Sequence, residues 1–336
     1  KVNIDAPINA GVISAHNTAP SDAQLNTIHD MVSPQDTVET ITLDELHARP
    51  DLDMAFVVHA CGPTPVAEAL AAAGVPGLCL EPHGAFHAYH AAFYHELEAA
   101  GGSHLPAELP ETIKASVQAV RARRALQGAK LIVADPEDDE HRNARNRRFA
   151  ERVAAQLGIE ILLRNTDEIK QRARGVSDAV AEEELSRWYD EVVTGPGEMD
   201  STHMRQVARL YLAQRAMLEE TGAVGITPHD IKGFLTIPEP EIMPNVSYGP
   251  LLFDGYLACE EADIEALTTE LLLAAATGQQ PMMSNIYFAF RDRFAELARQ
   301  GDHGQHLLTD DCRQCFEDNH VTISHFSTSG VLPPGM

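Results

Sequence analysis

Apolar residues in the first third of the chain fall into short runs separated by longer stretches with helical spacing. Residues 8–14, 37–43, 54–59 and 75–80 are β-type runs bounded by turn residues, and they predict strands. Residues 22–32 and 65–73 between them read as helices, with Pro65 suited to a first helical turn. A long helical stretch over 110–127 ends at Gly128 and opens a second cycle. There 131–134 predicts a strand, and 141–157 a helix with Phe149, Val153 and Leu157 on one face, closed by Gly158. A strand over 159–163 follows, and Asn165 or Thr166 can cap the next helix. Residues 192–194, a helix over 201–220 ended by Gly222, and a strand over 224–227 repeat the scheme. Short strands alternating with helices predict the α/β class: two consecutive parallel-sheet, Rossmann-like domains, 1–128 and 129–336.

Composition narrows the partners. The chain has 50 acidic and 25 basic residues and a formal net charge of -25, a field that repels nucleic acid and anionic lipid. The same charge also suits a solvated acidic surface at high salt. No apolar run is long enough for a membrane span, and the first twenty residues contain Asp5 and Pro7 rather than an apolar leader, so a cytoplasmic location is expected. Five cysteines form no disulfide-like framework, and Cys312 and Cys315 make a lone CxxC with only His320 and His325 near in sequence. No glycine-rich phosphate-binding fingerprint follows any predicted strand.

Candidate chemistry lies in two places. The segment Cys259-Glu260-Glu261-Ala262-Asp263 delivers three carboxylates to the start of a helix whose apolar face is Ile264, Leu267, Leu271 and Ala274. Acidic residues there answer the helix dipole and also commonly start helices with no further task. In the first domain, His83, His87 and His90 share helical spacing, with His95 beyond, and a sugar-contacting role for His87 is expected more than a metal-binding one. The turn Gly62-Pro63-Thr64-Pro65 follows a strand's carboxyl end, where open α/β sheets bind ligands.

Cys259-Glu260, Asp263, Leu267-Thr268, Thr277-Gly278 and the segment Met282 to Ile286 resemble the core signature of the L-fucose isomerase family, which is related to the L-arabinose isomerases. The similarity extends to Tyr211–Gly222, Val224–Thr227 and Asn319–His325. The resemblance implies an aldose–ketose isomerase acting on a deoxy- or pentose sugar through an ene-diol. It implies a divalent metal, usually Mn2+, held by a Glu, an Asp and a His: Glu261, also the candidate base, or Glu260 by a one-residue shift; Asn285 at the position of the Asp; and a His from a further domain, with Glu260, Asp263 and His325 near the sugar. It further implies a homo-oligomer, a hexamer, and a β-rich third domain beyond Met336, which would make this chain a fragment. Asn285 stands where the family has an acid; an amide oxygen brings no charge and accepts no proton at neutral pH. That departure raises an alternative: a non-catalytic sugar-binding or regulatory relative that has lost part of the metal site. A lyase or epimerase using the same enediolate chemistry is a third reading.

Overall fold

The computed structural model describes residues 6–15, 19–59, 65–80, 87–105, 110–136, 140–191, 201–229, 245–281, 285–287 and 322–324. The chain divides into two units: Val2–Ala129 with Leu272–Gln279, and Lys130–Leu271 with Gln280–Met336 and Lys1. Each unit carries a four-stranded, wholly parallel sheet covered by helices, the doubly wound α/β arrangement the alternation predicts.

In the first unit the strands are β1 (Asn9–Ser14), β2 (Thr37–Thr40), β3 (Met54–Val58) and β4 (Gly77–Leu80), in the spatial order β2-β1-β3-β4. Helices α1 (Asp22–His29), α2 (Leu43–Leu46), α3 (Pro65–Ala73), α4 (His87–Ala99) and α5 (Pro110–Leu126) connect and follow them. The period of two in β3 sorts its apolar side chains to opposite faces. Ala55 and Val57 join Leu70 of α3 and Phe93 and Leu97 of α4, whereas Met54, Phe56 and Val58 join Ile28 of α1 and Val117 and Val120 of α5. A strand buried on both faces has no polar alternation, which is why 54–58 reads as one apolar block. The expected strand over 37–43 stops at Thr40 instead. Thr42 and Glu45 form a capping box, with the Glu45 carboxylate accepting the Thr42 N–H at 2.7 Å, and the helix α2 takes over.

The second unit repeats the plan with β5 (Lys130–Asp135), β6 (Glu160–Asn165), β7 (Gly225–Pro228) and β8 (Leu257–Ala258), in the order β6-β5-β7-β8. Its helices are α6 (Glu140–Leu157), α7 (Thr166–Gly175), α8 (Asp178–Glu191), α9 (Ser201–Thr221), α10 (Asn245–Phe253) and α11 (Ile264–Thr277), the last turns of α11 counting with the first unit. Ile132, Ala134 and Ile226 face Ile169, Leu185, Trp188, Tyr211 and Leu251, while Val133 meets Ile264 and Phe149 of α6. Gly225 is glycine because space demands it. A Cβ there would lie 2.9 Å from Leu257 Cβ and 3.1 Å from Leu267 Cδ1. A short antiparallel pair, β9 (Asn285–Tyr287) and β10 (Thr322–Ser324), sets Asn285 opposite Ser324. The expected strand over 192–194 lies outside the described residues. Among the described residues no helix is long and apolar enough to cross a membrane.

Candidate functional site

In both sheets the chain runs from its first strand to one side, then returns to the other side for the third. The gap between first and third strands at their carboxyl ends is the switch point where such sheets take ligands. In the second unit it lies between β5 and β7, whose register pairs Ala134 with Pro228. One step further, Asp135 and His229 stand side by side, and the His229 N–H donates to the Ala134 carbonyl at 2.8 Å. Both are buried, Asp135 at 4% and His229 at 6% exposure. The Asn146 side chain of α6, itself buried, donates to Asp135 Oδ2, and Asn143 of the same helix donates to the Pro136 carbonyl at 3.3 Å. The α6 amides therefore fix both the carboxylate and the turn after β5.

Flanking strands complete the edge. Asp135 is in register with Asn165 at the end of β6, whose side chain caps α7 by accepting the Asp167 N–H at 2.8 Å. Thr166 follows, buried, and its hydroxyl has no hydrogen-bond partner among the described residues. On the other side, the turn after β8 is organised by the buried hydroxyl of Thr227. It donates to the Glu260 carbonyl at 3.0 Å and accepts the Asp263 N–H at 3.1 Å.

This places the acidic segment. Glu260 is buried beside Thr227; Glu261 and Ala262 hold left-handed backbone at φ 63° and 48°; Asp263 is the cap of α11, its Oδ1 accepting the Ala266 N–H at 2.9 Å. The structure thus brings Glu260 and Asp263 together around one hydroxyl, and engages Asp263 in starting a helix. Among the described residues no group of three His, Cys, Asp or Glu side chains is disposed to hold a metal ion. Burial, and then the charge of Glu270, push the neighbouring Cys259 thiol well above its ordinary value, so it stays protonated and unreactive. The Asn285 backbone lies in β9; its side chain, that of His87 at the start of α4, and the whole of His83, His325, Cys312 and Cys315 are outside the described residues, while His95 is exposed.

Sequence reasoning passed over Asp135 and His229. The signal was available: each ends or directly follows an apolar strand, in Asp135-Pro136 and Pro228-His229. The carboxyl-end rule, applied to the turn after residues 54–59, applies equally here.

No family model and no curated protein matches this chain. Similar solved structures include a "probable two-component system response regulator/GGDEF domain protein" (TM-score 0.32, 13% identity, covering 80% of this chain and 99% of that one). The arabinose-binding protein AraP of Geobacillus stearothermophilus matches with TM-score 0.21 and 13% identity over 82% of this chain and 90% of that one. A periplasmic solute-binding protein from Actinobacillus succinogenes 130z with bound D-allose matches with TM-score 0.19 and 12% identity over 82% and 93%. Shape agreement at this level carries no argument about what the chain does. These similar structures are binding and regulatory proteins rather than fucose or arabinose isomerases, and the expected membership of the L-fucose isomerase family is corrected accordingly. The aldose–ketose reaction goes with it, and the hexamer and third domain rested on that family alone.

Proposed function

We propose that this chain binds a small polyhydroxylated molecule, a sugar or cyclic polyol, at the carboxyl edge of its second sheet, as a binding or regulatory protein rather than an isomerase. The observation that carries the reading is the buried Asp135–Asn146 pair set beside His229 at the switch point between β5 and β7. Carboxylate, amide and imidazole together offer planar acceptors and donors, and adjacent hydroxyls of a polyol both accept and donate. Groups already held by the fold need little ordering when a ligand arrives, which favours affinity. The unpartnered Thr166 hydroxyl at the same edge supports the reading, because a buried hydroxyl without a partner is uncommon.

Titration calorimetry and thermal denaturation with L-arabinose, D-allose, D-glucose and myo-inositol test it. Saturation by a true ligand at a hundred times its Kd adds about 2.7 kcal/mol of stability. Asp135→Ala should weaken that binding at least about tenfold, since a buried hydrogen-bonding carboxyl group is removed. Absence of binding across the panel, or unchanged affinity in Asp135→Ala, defeats the proposal.

A further inference from the structure

Helix α6 concentrates positive charge in a chain that carries little of it. Residues 140–157 hold five arginines against two glutamates, whereas the whole chain has 50 acidic and 25 basic residues. His141, Arg145, Arg148 and Arg152 follow one another at spacings of four, three and four, which sets them in one row along the helix. At the helical rise per residue the row runs about 16 Å. All four residues are exposed, and Glu140 and Glu151 fall outside the row; the buried side of α6 belongs to Asn146 and Val153.

Arginine on an exposed helix is ordinary in itself. Three other helices of this unit, however, give an arginine a carboxylate on the same helix. Arg172 pairs with Glu168 in α7 at 3.1 Å, Arg187 with Glu184 in α8, and Arg215 with Glu219 in α9 at 2.8 Å. Helix α6 does the reverse: Arg148 has Arg145 one turn back and Arg152 one turn on, an arrangement of like charges that disfavours the helix. Arg145 reaches Glu265 of α11 at 2.7 Å, an ion pair open to water and therefore weak. Arg152 lies over the Phe149 ring at 5.3 Å. Arg148 and His141 have no hydrogen bond, ion pair or ring contact among the described residues. A row of guanidinium groups that works against its own helix, and that the fold does not neutralise, is placed for something outside the fold.

We infer that this row is a docking surface for an acidic segment of another protein, whose carboxylates pair with Arg145, Arg148 and Arg152. Planar guanidinium forks take carboxylates two hydrogen bonds at a time. Charge selects the kind of partner. Repulsion by the whole chain, at -25, grows with the partner's total charge, so a polynucleotide is penalised along its length and a segment with a few carboxylates far less. Screening over about 10 Å at about 0.1 M salt leaves the row itself to decide the local attraction. The inference is independent of the polyol reading.

Fluorescence anisotropy of a labelled polyglutamate peptide of about twelve residues, titrated with the full chain in about 0.1 M salt, provides the test. Saturable binding with a Kd below about 100 μM is expected. The triple variant Arg145→Gln, Arg148→Gln, Arg152→Gln should weaken it at least about tenfold without lowering the midpoint of unfolding. Lys114→Gln, Arg123→Gln, Arg174→Gln, which removes the same charge from other exposed positions, should leave affinity within about twofold. No saturable binding by the wild type, or equal weakening in the two triple variants, overturns the inference. Tighter binding of a labelled oligothymidylate of similar length also overturns it, making the row a nucleic-acid contact. So does sedimentation that shows a dimer lost in the α6 variant, which makes the row a self-interface.

Discussion

The Arg121 guanidinium grips the Asp36 carboxylate with both terminal nitrogens, Nη1 to Oδ1 at 2.9 Å and Nη2 to Oδ2 at 2.7 Å. The same carboxylate accepts the Ile8 N–H at 3.0 Å and the Ser33 N–H at 2.7 Å, and Arg121 also donates to the Ala6 carbonyl at 3.0 Å. One ion pair thus ties the entry to β1, the turn before β2 and the helix α5, with the Asp36 side chain fully shielded from solvent. Arg121→Met leaves a buried carboxylate without its cation and should cost about 3 kcal/mol, read from chemical denaturation.

The same pair has an acid signature. Burial raises the Asp36 carboxyl, but the Arg121 and backbone hydrogen bonds outweigh it and hold the group below its ordinary value. A depressed folded value means the stabilisation is complete above the unfolded value, about 3.9, and lost as pH falls through the folded one. Stability measured from pH 6 downward should therefore fall more shallowly in Asp36→Asn than in the wild type; parallel curves would count against this assignment.

Tyr211 supplies the alkaline counterpart. Its hydroxyl donates to Asp254 and accepts from Arg187 at 3.0 Å and Arg215 at 3.2 Å, joining α8, α9 and the turn after α10. Burial, and then the bond to Asp254, push the phenol well above its ordinary value of about 10. The raised folded value places this stabilisation below pH about 10, with its loss as pH climbs towards the folded value. Tyrosinate absorbance gained by the folded protein in the ordinary range, about pH 10, should be the same in wild type and Tyr211→Phe, whereas loss of one phenol in the variant would mean that Tyr211 titrates normally, and the variant should lose about 1–3 kcal/mol.

Gly225→Ala drives a methyl against Leu257 Cβ and Leu267 Cδ1 at the centre of the second sheet. The expected cost is about 1–3 kcal/mol by denaturation, since backbone on both sides limits how far neighbours can yield. Because β7 positions His229, any ligand binding at the switch point should weaken as well.

Asp263→Ala removes the cap of α11 and should cost about 1 kcal/mol, while Asp263→Asn, which keeps a capping oxygen, should recover most of it in thermal denaturation. A similar loss in both variants would mean that the carboxylate's charge, rather than its cap, is what the fold uses.

Much of the fold was legible in the sequence because strands buried on both faces leave continuous apolar runs, as in Met54–Val58 and Lys130–Asp135. Turn chemistry was harder to read: the capping box at Thr42 and Glu45 converts the end of an apolar-looking run into helix, a decision made by two hydrogen bonds rather than by periodicity. The acidic stretch after Cys259 drew attention as candidate chemistry, and its other reading there was a helix start. Asp263 and Glu260 serve the turn after β8, so a cluster of carboxylates marked a helix start. Asp135 and His229 both precede that stretch and lie far apart along the chain, and they become neighbours only through the crossing that puts β7 beside β5. No spacing along the chain reports that adjacency.

Leu272–Gln279 counts with the first unit although it is synthesised after most of the second, and the Gln118 side chain donates to the Ala275 carbonyl at 3.3 Å. During translation, then, Gln118 gains its Ala275 partner only when a segment made some 140 residues after Ala129 has emerged. A nascent chain stalled before Leu272 would lack that contact between early and late sequence.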